Sequence, residues 1–162
     1  MATCAISKDQ VARRVKALCQ RLGEARVDAY LVPSTDSHLN EYVPAYQQRR
    51  AAITGFTGSA GDALICPEGS HLFVDSRYYL QAGREADPSL FRVHKVGLAG
   101  ERTLSEWLTE MERQKGSVRV GFDPFVVAMD AHAVYKRALR TPESALVPLA
   151  DNLDHAVWED RP

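Results

Sequence analysis

The chain has 162 residues, 45% hydrophobic and 25% charged, with 20 Lys plus Arg against 21 Asp plus Glu for a formal net charge of −1. This length supports one domain with its own core, and the composition is neither disordered nor collagenous. The basic residues are scattered, which excludes the clustered positive footprint of a nucleic-acid binder; no apolar run nears the ~18 residues of a membrane span, and the first residues lack a secretory-leader pattern, so a cytoplasmic location is expected.

Ser7-Lys8-Asp9-Gln10 has the form of a capping box, so a helix should follow. Val11, Val15, Leu18 and Leu22 supply one apolar stripe, and Gly23 is expected to stop the helix. Ala29-Tyr30-Leu31-Val32 reads as a buried strand that Pro33 ends in a polar loop. Strands at 62–66 and 71–74 flank Pro67-Glu68-Gly69-Ser70, whose Pro and Gly predict a hairpin turn.

Ser76 can cap a helix running to about residue 85, and residues 90–96 read as a strand. Thr103-Leu104-Ser105-Glu106 is a second capping box, with Leu104, Trp107, Leu108 and Met111 at helical spacing behind it. A strand is expected at 118–122, a helix at 130–139 with Val134, Tyr135 and Ala138 inward, and a strand at 145–149. This alternation with one hairpin predicts an α/β fold: a mixed β-sheet flanked by helices. The polar stretch 151–162, with one Trp and a final Pro, reads as a linker.

Little of the chain points to chemistry. Cys4, Cys19 and Cys66 show no CxxC spacing, and Cys66 sits in an apolar run as a small buried hydrophobe. Gly55, Gly58 and Gly61 allow tight turns and close backbone approach, but lack the Gly-Lys-Ser/Thr ending of a phosphate loop. The histidines fit no paired ligand spacing; Asp36, His38 and Glu41 share a loop and read as loop capping rather than a cation site. Neither Ser59 nor Ser76 has the G-x-S-x-G context of an activated nucleophile.

Arg77 stands at a strand-to-helix corner between Asp75 and the pair Tyr78-Tyr79. From chemistry alone two readings remain open. The guanidinium could hold a peptide carboxylate or carbonyl by directed hydrogen bonds, or it could form a surface pair with Asp75.

Several motifs follow one another in order. Ala29-Tyr30-Leu31-Val32-Pro33-Ser34 leads to Asp36, His38 and Glu41-Tyr42; then come Arg49-Arg50-Ala51-Ala52-Ile53-Thr54-Gly55-Phe56-Thr57-Gly58-Ser59-Ala60-Gly61 and Asp75-Ser76-Arg77-Tyr78. Val120-Gly121 with Asp123-Pro124 follows, and last Asn152-Leu153 with Trp158 and Asp160-Arg161-Pro162. This series resembles the N-terminal, creatinase-type domain of Xaa-Pro aminopeptidases (aminopeptidase P), above all the cytosolic three-domain form.

The resemblance implies a ribonuclease-H-like creatinase N-terminal domain over residues 1–150, with 151–162 opening a linker to a missing middle domain. The implied parent is a metallopeptidase that removes an N-terminal residue preceding proline. Its manganese or similar dinuclear metal would lie in a C-terminal domain. This segment would then carry no catalytic residue, metal ligand or cofactor, and would be inactive alone. Its partners would be a peptide with proline at the second position, the remaining domains of the parent and a second copy in a homodimer. The family's substrate-contacting arginine falls on Arg77, within an Asp-Gly-Arg-Tyr motif that carries Ser76 in place of glycine.

The alternative of another class is a non-catalytic peptide- or histone-binding module of the same fold. A creatinase or prolidase relative with another substrate is less consistent with the ending from Trp158 to Pro162.

Overall fold

Neighbouring residues of a strand face opposite sides of a sheet, and in β1 (Ala29–Val32) both sides are apolar. Tyr30 and Val32 enter one buried cluster, Ala29 and Leu31 another, so the sheet must be covered on both faces. The computed structural model, which describes residues 6–162, shows how this is done.

Among the described residues β2 (Asp62–Ile65), β3 (Ser70–Val74), β4 (Phe91–Lys95), β5 (Arg119–Phe122) and β6 (Ala145–Pro148) join β1 in a six-stranded sheet of order β4-β3-β2-β1-β5-β6. β2 pairs antiparallel with β1 and β3, while β1–β5, β5–β6 and β3–β4 are parallel. β2 alone therefore runs against the rest. The register sets Leu31 between Leu64 and Phe122. This is the mixed α/β sheet expected from the alternation of elements.

One face is covered by α1 (Lys8–Ala25), α2 (Arg49–Thr54), α3 (Tyr79–Glu85) and α6 (Leu153–Val157). The other carries α4 (Leu104–Lys115) and α5 (Met129–Ala138). Both capping boxes form as expected, at Ser7 with Gln10 and at Thr103 with Glu106. The stripes they start are buried: Val11, Val15, Leu18 and Leu22 in α1, and Leu104, Leu108 and Met111 in α4.

Three expectations need correction. Gly23 does not stop α1. It faces open space, where a lone glycine weakens a helix by only about 1 kcal/mol, and Arg26 ends the helix in the left-handed region at φ 56°. The Arg26 and Val27 amides donate to Gly23 O (3.2 Å) and Leu22 O (3.1 Å), and Val27 is buried. Val134 is 42% exposed, because α5 turns Tyr135 and Ala138 inward and leaves Val134 at its rim beside Ser105 and Thr109 of α4.

The third is the segment 151–162. It does not leave the domain as an extended linker but folds back as α6, burying Leu153, Val157 and Trp158. The polar residues that suggested a linker are partners of buried charges. Asp160 pairs with Arg14 of α1 and accepts from Gln10 Nε2 (3.1 Å).

Candidate functional site

Because β2 alone is reversed, the carboxyl ends of β1, β3, β4 and β5 share one edge with the start of β2. Loops at such an edge are where α/β sheets bind ligands. The glycine loop and the turn carrying Arg77 meet there.

The glycine loop starts where α2 ends. Gly55 closes the helix in the left-handed region (φ 77°), Phe56 is fully buried, and Gly61 takes φ 124°. Arg50 of α2 donates to the carbonyls of Gly58 and Gly61 (2.7 Å to the latter) and lies over the Phe56 ring at 4.7 Å. Only 6% of Arg50 is exposed, and burial lowers its guanidinium to about 10 although Asp62 is close. The glycines are architectural: Gly55 and Gly61 supply the positive-φ backbone of a loop that Arg50 holds over Phe56.

At the end of β3, Asp75, rather than Ser76, caps the turn Ser76–Tyr78 by accepting from the Arg77 amide (3.0 Å). The same carboxylate takes Arg77 Nε (3.0 Å) and Nη2 (2.9 Å), so one aspartate fixes both the backbone and the side chain of Arg77. That pairing holds Asp75 below the usual carboxylate range and Arg77 above the usual guanidinium one. Arg77 Nη1 lies 3.5 Å from Glu41 of the loop after β1, and 57% of the Arg77 side chain remains exposed.

Ser59 joins the two loops. Its hydroxyl donates to Glu41 Oε1 (2.9 Å) and lies 2.6 Å from the Tyr78 hydroxyl. A cavity of about 130 Å³ opens beside it, lined by Ser34, Glu41, Tyr42, Gln48, Arg50 and Ser59. The link through Glu41, Ser59 and Tyr78 is not written in any local pattern; the only signal was that these residues stand inside the motifs quoted above.

The other candidates fall into place as structure. Asp36 is buried and accepts the amides of His38 (2.9 Å) and Asn40 (3.0 Å) together with Asn40 Nδ2 (3.0 Å), so it caps its loop, and these donors hold its carboxyl low. Burial pushes the Cys66 thiol up to about 12, which makes it inert; Cys4 lies outside the described residues. The described residues contain no group of three His, Cys, Asp or Glu placed to hold a metal ion.

A second polar cluster lies under the edge and was not anticipated. Arg49 of α2, 5% exposed, donates through Nε to His155 Nε2 (2.8 Å) and through Nη2 to Gln47 Oε1 (2.6 Å), with Asp123 at 3.7 Å and Asp154 at 4.0 Å. Asn152 Nδ2 donates to Asp123 (2.5 Å). Burial raises Asp154 to about 6, while burial and the neighbouring Arg49 and Arg161 lower His155 to about 4.

The edge is also apolar. Among the described residues the exposed large hydrophobics are Leu39, Tyr42 and Tyr46 after β1, Leu80 after β3, Leu98 after β4, Phe125 and Met129 after β5, and Val134 on α5. All but Val134 lie in segments leaving the carboxyl ends of strands at this edge. Chemically, the site offers a fixed, exposed guanidinium on an apolar rim, able to donate to a carbonyl or carboxylate.

The family profile of the Creatinase/Prolidase N-terminal domain matches residues 14–156. Among curated proteins, human (Homo sapiens) Xaa-Pro aminopeptidase 2 is 40% identical over 147 residues, which are 90% of this chain and 21% of that protein. A probable Xaa-Pro aminopeptidase P of Aspergillus fumigatus is 38% identical over 151 residues, 93% of this chain and 23% of its own length. The chain therefore spans about a fifth of the length of these relatives.

Among solved structures, the X-prolyl aminopeptidase of Caenorhabditis elegans, described as a cytosolic enzyme with a di-nuclear active site, superposes with a TM-score of 0.85 at 29% identity. The match covers 94% of this chain and 26% of that one. The N-terminal domain of the cytoplasmic peptidase PepQ from Mycobacterium tuberculosis superposes at 0.64 with 27% identity, covering 90% of this chain and 98% of the other.

Proposed function

Because the chain belongs to the Creatinase/Prolidase N-terminal domain family, we propose that it serves as the accessory domain of a proline-specific metallopeptidase that removes an N-terminal residue preceding proline. The support is its similarity to Xaa-Pro aminopeptidases over nearly its whole length. In this reading the accessory domain includes the packed helix α6, and the chain leads on toward a further domain only after it. The observation that carries a substrate role is Arg77, held by Asp75 at an edge where exposed apolar residues collect.

The described residues do not offer a ligand set for a dinuclear metal such as manganese; in this proposal the rest of the protein supplies it. Arg77 donates N–H groups to a carbonyl or carboxylate of a peptide residue beyond the proline, away from the bond that is cut. Asp75 restrains the guanidinium beforehand, so less rotamer entropy is lost on binding. Remote contacts of this kind align the reacting bond. The apolar rim formed by Tyr42, Phe125 and Met129 would pack against the remaining domains or a second copy and keep water from the bound peptide. A cytoplasmic, dimeric parent is part of the proposal; the Caenorhabditis elegans enzyme is described as cytosolic, and no helix of the described residues is long and apolar enough to cross a membrane.

The test is Arg77→Ala in the complete protein. Loss of a hydrogen bond to a charged group, about 1.5–3 kcal/mol, should lower kcat/KM on tripeptides and longer substrates about tenfold or more and leave an Xaa-Pro dipeptide nearly unchanged. An equal loss on both, or none, would overturn the assignment.

A further inference from the structure

The loop between β1 and α2, residues 33–48, carries Glu41 to Arg77, yet its regular structure is one short turn, Ala45–Gln47. Its first half is tied down by Asp36. Its second half is tied by residues from elsewhere in the chain. Arg161 Nε donates to Tyr46 O (2.7 Å), and the Arg161 guanidinium lies 5.9 Å from the centre of the Tyr46 ring. Arg49 Nη2 donates to Gln47 Oε1 (2.6 Å), and Gln48 Nε2, in the same loop, donates to Val43 O (3.2 Å).

His155 lies between the two arginines, with Arg49 Nε at 2.8 Å from Nε2 and Arg161 Nη1 at 3.1 Å from Nδ1. The ring is half-buried in α6, itself anchored by Leu153, Val157 and Trp158. Continuous contacts therefore run from α6 through His155 to Arg161 and Arg49, on to residues 46–48, and from there along the loop to Glu41 and Arg77.

We propose that Arg161, seated by His155, is a positioning residue for the Arg77 site: it braces residues 46–48 and so fixes the loop that places Glu41 and Tyr42 around the peptide. This rests on the substrate role proposed for Arg77, but the brace itself can be tested without it. The charged groups facing His155 are Arg49 from α2, Arg161 and Asp154 from its own segment, and Asp123 from the end of β5. A neutral imidazole has one acceptor nitrogen and accepts from one guanidinium at a time; protonation removes that acceptor and sets a third positive charge between the two arginines, so the brace should loosen in acid.

Hydrogen exchange on this chain decides the brace. Arg161→Ala should speed exchange of the amides at 42–48 about tenfold, the loss of one charge-assisted hydrogen bond, with β1 and β5 unchanged. Arg161→Lys, which can still donate to Tyr46 O, should restore part of the protection. In the wild-type chain, protection of 42–48, corrected for intrinsic rates, should fall as pH drops toward 4, and that step should be missing in Arg161→Ala. Unchanged exchange at 42–48 in Arg161→Ala overturns the proposal.

Kinetics of the complete protein decide whether the brace serves the site. Arg161→Ala should raise KM for a tripeptide about threefold with little change in kcat, and add nothing in an Arg77→Ala background, as expected for two residues acting through one contact. Additive effects would overturn the positioning role. If Arg77→Ala alone leaves KM untouched, the substrate role of Arg77 fails, and the exchange result stands independently.

Discussion

A β-carbon added at Gly58 would lie 2.3 Å from Phe56 Cζ and 2.7 Å from Tyr78 Cδ1, and one at Gly61 would meet Phe73 O at 2.8 Å in a backbone already at φ 124°. Gly58→Ala should therefore destabilise the fold by about 1–3 kcal/mol, the usual cost of overpacking, read as a lower urea midpoint. A midpoint matching the wild type would mean the loop yields without strain. Arg77 should behave in the opposite way. Its pair with Asp75 is largely exposed, and such pairs contribute ~0–1 kcal/mol; Arg77→Ala should leave the urea midpoint nearly unchanged, and a clear drop would mean the fold itself depends on the pair. Asp75 capping the turn and pairing with Arg77 shows that the two readings left open by chemistry are compatible: the surface pair is what aims the guanidinium.

The elements divide by how they are stabilised. α1 and α4 start at capping boxes and bury a stripe at helical spacing, and both signals lie within a few residues. α2 and α6 have neither a stripe nor a capping box. α2 buries all six of its residues, two of them arginines, which no sequence pattern marks as interior; the arginines are admissible because each has acceptors on other elements. α6 is five residues long, too short to persist alone. Its place depends on Leu153, Val157 and Trp158 and on the buried cluster of Arg49, Asp123, Asp154 and His155. Leu153→Ala should cost about 2–4 kcal/mol in chemical denaturation; a change below ~0.5 kcal/mol, the scale of surface substitutions, would mean α6 is only loosely attached.

For the molecule as a whole the histidines set the response to acid. Burial, with nearby positive charge, depresses His71, His94 and His155 to about 4 from an ordinary value of 6.5. Between those values the unfolded chain takes up protons that the folded one refuses, so the stability present above 6.5 is lost as pH falls toward 4. Asp154 opposes this. Raised to about 6 from 3.8, it favours folding in acid and loses that contribution as pH rises through 6. Burial raises the Asp62 carboxyl as well; with three histidines against these two carboxyls, Tm should still fall between pH 7 and pH 5, and a Tm that rises over that interval would contradict the assignment. At this scale the sequence by itself determined the alternation of strands and helices, the two capped helices, the hairpin and the ordered motifs that mark the family. These signals are short-range: a period, a cap or a turn is complete within a few residues. Only the tertiary structure decided which motif residues are buried supports and which reach the surface, and that residues 151–162 belong to the fold. Pairing a buried charge requires a partner from anywhere in the chain, and Arg49 and His155, 106 positions apart, become neighbours only once the sheet has brought α2 and α6 to the same face.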